Sequence, residues 1–95
     1  MTVRFHPAAG DELREARLWF EDRSPLSAVA FGQEVDAAVS RIAETPMRYP
    51  VAEHGTRRVV LHRFPYNVFH RVGSEETVVV AVAHQKRQPG YWSSR

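Results

Sequence analysis

Four arginines without acidic neighbours are the residues of this sequence best suited to binding an anion. They lie between residues 54 and 72, a stretch that contains no aspartate or glutamate. A guanidinium stays protonated at neutral pH and can form two parallel hydrogen bonds with a carboxylate or a phosphate. We therefore expect a face that binds an anionic partner, while a solvated basic surface without a partner is the alternative. The four residues are Arg57, Arg58, Arg63 and Arg71.

A second group of reactive side chains lies at the end of the last predicted strand and in the tail behind it. Histidine is the residue type best suited to act as a general base near neutral pH, so His84 is the natural candidate for that role, with Lys86, Arg87 and Tyr91 close behind it. The alternative for His84 is a hydrogen bond to a backbone group at the strand end. Arg87 and Trp92 are further candidate binding residues, although Tyr91 and Trp92 could instead close a small hydrophobic core.

Cofactor and metal sites are not expected. The chain has no cysteine, and His62 and His70 lack the close spacing and the nearby carboxylates of metal ligands. It also has no glycine-rich phosphate loop, no paired carboxylates and no Ser-His-Asp arrangement. We therefore expect no cofactor, no metal and no small-molecule substrate.

Composition predicts one globular domain over residues 1–95. Hydrophobic residues make up 43% and charged residues 25%, which is ordinary for such a domain. No apolar run approaches the ~20 residues of a membrane helix, and the missing cysteines fit a reducing interior, so we expect a cytoplasmic protein without membrane contact. Residues 1–47 carry five arginines against eight acidic side chains, whereas residues 48–95 carry eight basic against three acidic ones. This polarity favours an anionic partner.

Two helices are predicted after a short first strand over residues 2–5. Apolar residues at helical spacing predict a helix over residues 8–22, with Asp11 and Glu12 near its positive end. Ser24 and Pro25 are typical of an N-cap and a first helical position, and Thr45-Pro46 ends the second helix. The short connection predicts an antiparallel helical hairpin.

Three further strands are predicted over residues 57–63, 66–72 and 77–84. Residues 47–55 are expected to form an irregular crossover, docked on the core by Tyr49 and Val51. Residues 78–83 are apolar on both faces, which is typical of a central strand covered on both sides. The expected α+β fold is β-α-α-β-β-β, with the hairpin packed on one face of a mostly antiparallel four-stranded sheet. The other face is left partly open to Arg58, His62 or Arg71.

A series of short motifs follows in order along the chain. They are Glu12-Leu13-x-x-Ala16 with Trp19-Phe20, Pro46-x-x-Tyr49-Pro50, Arg57-Arg58-x-x-Leu61, Phe64-Pro65-Tyr66-x-Val68 and Val80-Ala81-Val82-Ala83-His84-x-x-Arg87-x-Pro89-x-Tyr91-Trp92. With these motifs the chain as a whole resembles the RelE/ParE superfamily of bacterial toxins from type II toxin-antitoxin pairs. The last motif looks like the C-terminus of the ParE-like, plasmid-stabilisation type.

This resemblance implies a toxin that a cognate antitoxin neutralises. ParE-like members poison DNA gyrase, RelE-like members cut mRNA on the ribosome without a metal, and a third possibility is a module that binds antitoxin but has lost toxicity. We favour the ParE-like reading, because arginine is a poor acid or base and the chain has a single lysine. If the protein is a nuclease, its candidate catalytic residues are Arg63, His84, Lys86, Arg87 and Tyr91.

Overall fold

The computed structural model describes residues 2–95, and its elements follow the predicted β-α-α-β-β-β order with one addition. The α+β class is confirmed. None of the helices in this part of the chain is both long and apolar enough to cross a membrane. The elements are β1 Thr2–Phe5, α1 Pro7–Arg23, α2 Pro25–Glu44, β2 Val51–Ala52, a 3-10 turn Glu53–Gly55, β3 Thr56–Val60, β4 Tyr66–Val72 and β5 Glu76–His84.

The sheet has five strands in the order β1-β5-β4-β3-β2, where four strands were predicted. The added strand, β2, lies in the segment expected to be irregular and pairs Val51 with Arg57. Two residues are too few to show the alternation of a strand, so the pattern could not reveal it. Val51 is 73% exposed and does not dock on the core as expected, whereas Tyr49 does pack against it.

Both helices begin with proline at the first helical position and a side-chain cap before it. Nδ1 of His6 accepts a hydrogen bond from the N–H of Ala8 at 3.1 Å, and Ser24 accepts one from the N–H of Ser27 at 3.3 Å. Such caps satisfy backbone donors that have no partner inside the helix. The predicted stripes of α1 and α2 are buried against the sheet, and the hairpin is confirmed.

Strand β3 ends at Val60, three residues earlier than predicted. The chain then turns back, and the N–H of Leu61 donates to the carbonyl of Tyr66 at 3.0 Å. The N–H groups of His62 and Arg63 both donate to Glu34 on α2, at 2.9 Å and 3.1 Å. This loop is therefore fixed to the helix, and Arg63 lies outside the sheet.

The sheet is covered on both faces. The main core lies between the helices and one face, and the C-terminal tail covers part of the other face, where the ring of Trp92 stacks on Phe69 at 3.8 Å between centroids. The face that was expected to be partly open therefore carries a second, smaller core. The double burial predicted for β5 is confirmed, since Val79 and Val82 belong to the main core and Val80 to the second.

Candidate functional site

The carboxylate of Glu12 is the centre of a polar cluster that joins α1, β5 and the C-terminal tail. Its Oε1 accepts from the N–H of Val82 at 3.0 Å and from Nη1 of Arg95 at 2.8 Å. Its Oε2 accepts from the hydroxyl of Tyr91 at 2.6 Å and lies 3.4 Å from Nη1 of Arg87. The Glu12 side chain is only 10% exposed, so these donors, more than water, compensate its charge.

The cluster occupies a place along β5 where a neighbouring strand is missing. Strand β1 ends at Phe5, part-way along β5, so within residues 2–95 the later residues of β5 have no strand partner on that side. There the N–H of Val82 meets Glu12, and the carbonyl of Val80 accepts from Arg95 at 3.1 Å. Side chains thus satisfy backbone groups that a strand would otherwise pair.

A groove of about 650 Å³ lies beside this cluster, between α1 and the carboxyl-terminal half of β5. Its walls are largely apolar and include Phe20 from the helix and Tyr66 and Val82 from the sheet. Trp19 at its side is 51% exposed, and its ring lies edge-on to Phe20 at 5.1 Å. A half-exposed tryptophan beside an apolar groove is suited to packing against an apolar side chain of a partner.

A smaller hollow of about 110 Å³ lies on the opposite face of the sheet. Arg58 lines it and pairs across the sheet with Phe69, which lines it as well. His84 and Arg87 reach it from the end of β5 and from the tail, and Glu53 is its one acidic residue. Trp92 lines the hollow as well, so the fold brings together four of the candidate residues: Arg58, His84, Arg87 and Trp92.

Arg57 and Arg71 lie apart from this hollow and bond to the backbone. Nη1 of Arg57 donates to the carbonyl of Tyr49 at 2.7 Å. Arg71 donates to the carbonyl of Arg95 at 2.7 Å and to that of His54 at 3.1 Å. Both guanidiniums help to hold loops and the tail in place, so their roles in binding a partner stay predictions.

Arg63 and Trp92 differ sharply in their exposure to solvent. The Arg63 side chain is exposed, and its guanidinium lies 5.8 Å from the ring centroid of Phe64. Trp92 is 2% exposed and belongs to the second core. Contact between the Trp92 ring and a partner would require movement of the tail, and its binding role also stays a prediction.

The candidate acid-base groups are engaged inside the fold. Burial, and then the hydrogen bond to Glu12, raise the pKa of Tyr91 far above its usual value. Nδ1 of His84 accepts from the N–H of Lys86 at 3.1 Å, which is the backbone bond given above as the alternative for this histidine. In the neutral ring Nε2 then carries the proton. The Tyr91 hydroxyl is neutral and donates a hydrogen bond to Glu12, and the acceptor nitrogen of His84 is occupied, so neither group is ready to take a substrate proton.

Glu12 is the site residue that sequence reasoning missed. It was assigned, with Asp11, to the helix dipole, but α1 begins at Pro7 and its first turn contains no acidic residue. The available signal was its spacing, three residues after Ala9 and four before Ala16, which places it on the apolar stripe. A carboxylate in such a position needs buried donors.

The family model for the ParE toxin of type II toxin-antitoxin system, parDE, matches residues 3–89. The fold is similar to a chain of the chromosomal ParDE TA system from P. aeruginosa, with a TM-score of 0.78, 18% identity, and coverage of 88% of this chain and 95% of that one. No curated protein matches the chain. Since the family model spans most of the sequence, the protein belongs to the ParE toxin family of type II toxin-antitoxin systems.

Proposed function

We propose that this protein inhibits growth by poisoning DNA gyrase and that a cognate antitoxin neutralises it in the cytoplasm. Membership of the ParE family supports the toxin role. The choice of gyrase over mRNA as the target rests on the engagement of the acid-base groups within the fold.

RNA cleavage without a metal needs a group that accepts the 2′-OH proton and a group that donates to the leaving oxygen. The hydroxyl of Tyr91 is bonded to Glu12, and the acceptor nitrogen of His84 is occupied by the N–H of Lys86. Arg63 and Arg87 stay protonated and serve poorly as acid or base. These contacts favour a protein that acts by binding its target.

For the antitoxin we propose a segment that supplies both apolar anchors and carboxylates. The groove beside Trp19 offers an apolar surface for the anchors. The exposed guanidiniums of Arg58 and Arg63 have no ion-pair partner among residues 2–95 and would attract the carboxylates. Complementary charge of this kind raises the association rate and sets the orientation of the partner.

The direct test is gyrase activity in the presence of the purified protein. We expect loss of DNA supercoiling and accumulation of cleaved DNA at micromolar protein, with recovery when antitoxin is added in excess. A variant with Trp19→Ala is a control for the antitoxin part, since it should poison gyrase but resist neutralisation. Unchanged supercoiling at micromolar wild-type protein would refute gyrase as the target.

A translating extract with a reporter mRNA separates the two alternatives to gyrase poisoning, a ribosome-dependent nuclease and a module without toxicity. Intact mRNA is expected, whereas cleavage that depends on ribosomes would assign the protein to the RelE-like nucleases. If both assays are negative and cells grow normally when the protein is induced without antitoxin, it is a binding module that has lost toxicity.

A further inference from the structure

Arg58 lines two cavities. On one side is the hollow that it shares with Arg87. On the other side is a cleft of about 390 Å³, lined also by Arg41 of α2 and by His62. No acidic residue lines this cleft among the described residues. Basic side chains therefore continue from the face covered by the tail, across β3, to the end of α2.

The guanidiniums along this path keep donors for a ligand. Within residues 2–95, neither Arg41 nor Arg58 has a carboxylate within ion-pair distance. Arg87 meets Glu12 only at 3.4 Å, and its guanidinium carbon lies 3.7 Å from the ring centroid of Tyr91. Exposed positive charges of this density produce a field that attracts anions.

One residue that lines the hollow carries a donor without an acceptor. This residue is Trp92, and Nε1 of its ring is buried and finds no hydrogen-bond partner in the described chain. A buried N–H group without an acceptor is costly. The side-chain amides of Asn67 and Gln85, which bond to each other at 3.3 Å, lie beside it. An oxyanion entering the hollow would bring acceptors to the guanidiniums of Arg58 and Arg87, which line it.

We propose that this path binds the phosphate backbone of a single-stranded nucleic acid, with one phosphate in the hollow between Arg58 and Arg87 and the next toward Arg41. Two cavities that share Arg58 suit consecutive phosphates of one strand better than a single free ion. A flexible single strand can follow the turn at the sheet edge, whereas a duplex is stiff over this distance. The inference does not depend on gyrase being the target, because it concerns binding of nucleic acid by the isolated protein.

Fluorescence of Trp92 reports on the hollow directly. The chain has two tryptophans, so Trp19→Phe leaves Trp92 as the sole emitter. This variant is titrated with inorganic phosphate, a nucleoside monophosphate, short single-stranded DNA and RNA, and a polyglutamate peptide of similar charge. We expect both oligonucleotides to change the emission, with a dissociation constant of about 10⁻⁶ to 10⁻⁴ M at physiological salt.

Three substitutions locate the binding on the surface. Arg58→Ala should raise the dissociation constant about tenfold and reduce the slope of log K against log salt by about 0.7. Glu53→Gln should tighten binding, because it removes the one carboxylate that lines the hollow. Arg14→Ala is the matched control: it also removes one positive charge, but from an exposed site on α1 paired with Asp11, and should leave the constant unchanged.

Equal losses of affinity in Arg58→Ala and Arg14→Ala would show that the strand is attracted by net charge alone and would overturn the proposal. The proposal would also be overturned if the Trp92 emission did not change when oligonucleotide is added. The same holds if inorganic phosphate or the mononucleotide bound as tightly as the single strand. Equal binding of polyglutamate would assign the path to an acidic protein segment. A preference for RNA or for DNA supports a nucleic-acid site and identifies which sugar it accepts.

Discussion

The hydroxyl of Tyr91 lies 2.6 Å from Oε2 of Glu12, a contact that joins the C-terminal tail to the first helix across 79 residues of chain. The same carboxylate accepts hydrogen bonds from the guanidinium of Arg95 and from the N–H of Val82. The tail is therefore an integral part of the fold, and changes at this contact test how far it supports the sheet.

Tyr91→Phe should lower the free energy of unfolding by about 1.5–3 kcal/mol, because it removes a part-buried hydrogen bond to a charged group. Tyr49→Phe makes the same chemical change at a buried hydroxyl that has no partner within residues 2–95, so it should be neutral or stabilising. Urea unfolding of both variants measures the difference. Equal losses would mean that the Glu12 contact contributes little.

The stability of the protein should fall in mild acid because of His70. Its side chain is fully buried, Nε2 bonds the carbonyl of Pro46 at 2.9 Å, and Nδ1 has no partner among residues 2–95. Burial, and secondarily the charge of Arg57, lower the pKa of His70 from its usual 6.5. The unfolded chain then binds the proton more tightly, so stability is complete above about pH 6.5 and is lost as pH falls toward the folded-state pKa.

Urea unfolding at a series of pH values from neutral to mildly acidic measures this loss. His70→Gln removes the titrating group and should flatten the acid limb of the curve, whatever its effect on stability at neutral pH. His62→Gln, at an exposed position, is the matched control and should keep the wild-type slope. An acid limb unchanged in His70→Gln would assign the pH dependence to other groups.

Alanine variants of the candidate arginines should fall into two classes when the stability of each variant protein is measured. Arg71→Ala should cost about 1–2 kcal/mol, since it breaks charged hydrogen bonds to the carbonyls of Arg95 and His54. Arg58→Ala and Arg63→Ala, both exposed, should change stability by less than about 0.5 kcal/mol. Thermal unfolding ranks the three, and a large loss in Arg58→Ala would show a structural role that the contacts do not reveal.

Alanine substitutions at two glycines test whether the backbone just before Tyr91 is constrained by its contact with His54. Gly55 and Gly90 both have positive φ, 70° and 79°, so alanine at either position should cost about 1 kcal/mol. A Cβ on Gly90 would also lie 2.9 Å from Nε2 of His54, whereas Gly55 has open space. Gly90→Ala should therefore cost more than Gly55→Ala. The excess should disappear in a His54→Ala background, and its persistence would place the strain elsewhere in the tail.

The helices and the central strand were predictable because each repeats a pattern over many residues. Phe31, Val35 and Ile42 mark the buried face of α2 by spacing alone, and the continuous apolar run of β5 reflects burial on both sides. Strand β2 escaped prediction, since a two-residue strand is defined only by its neighbour β3.

The site was less predictable, because its contacts join residues far apart in the chain. Nothing local to Glu12 shows that Tyr91 and Arg95 donate to it. Charge identified Arg58 and Arg71 alike, but only tertiary structure shows that Arg71 bonds two carbonyls while Arg58 remains exposed. Residue type indicates what a side chain can do, and the fold decides whether it is already engaged.

The parallel pairing of β1 with β5 has a consequence for folding during synthesis. Thr2 lies opposite Glu76 in that ladder, so the first strand leaves the ribosome long before its partner. The helical hairpin can form from local contacts at once, whereas closing the sheet must wait for the final strand. A nascent chain thus exposes the apolar stripes of its helices until residues 76–84 are available to complete the sheet.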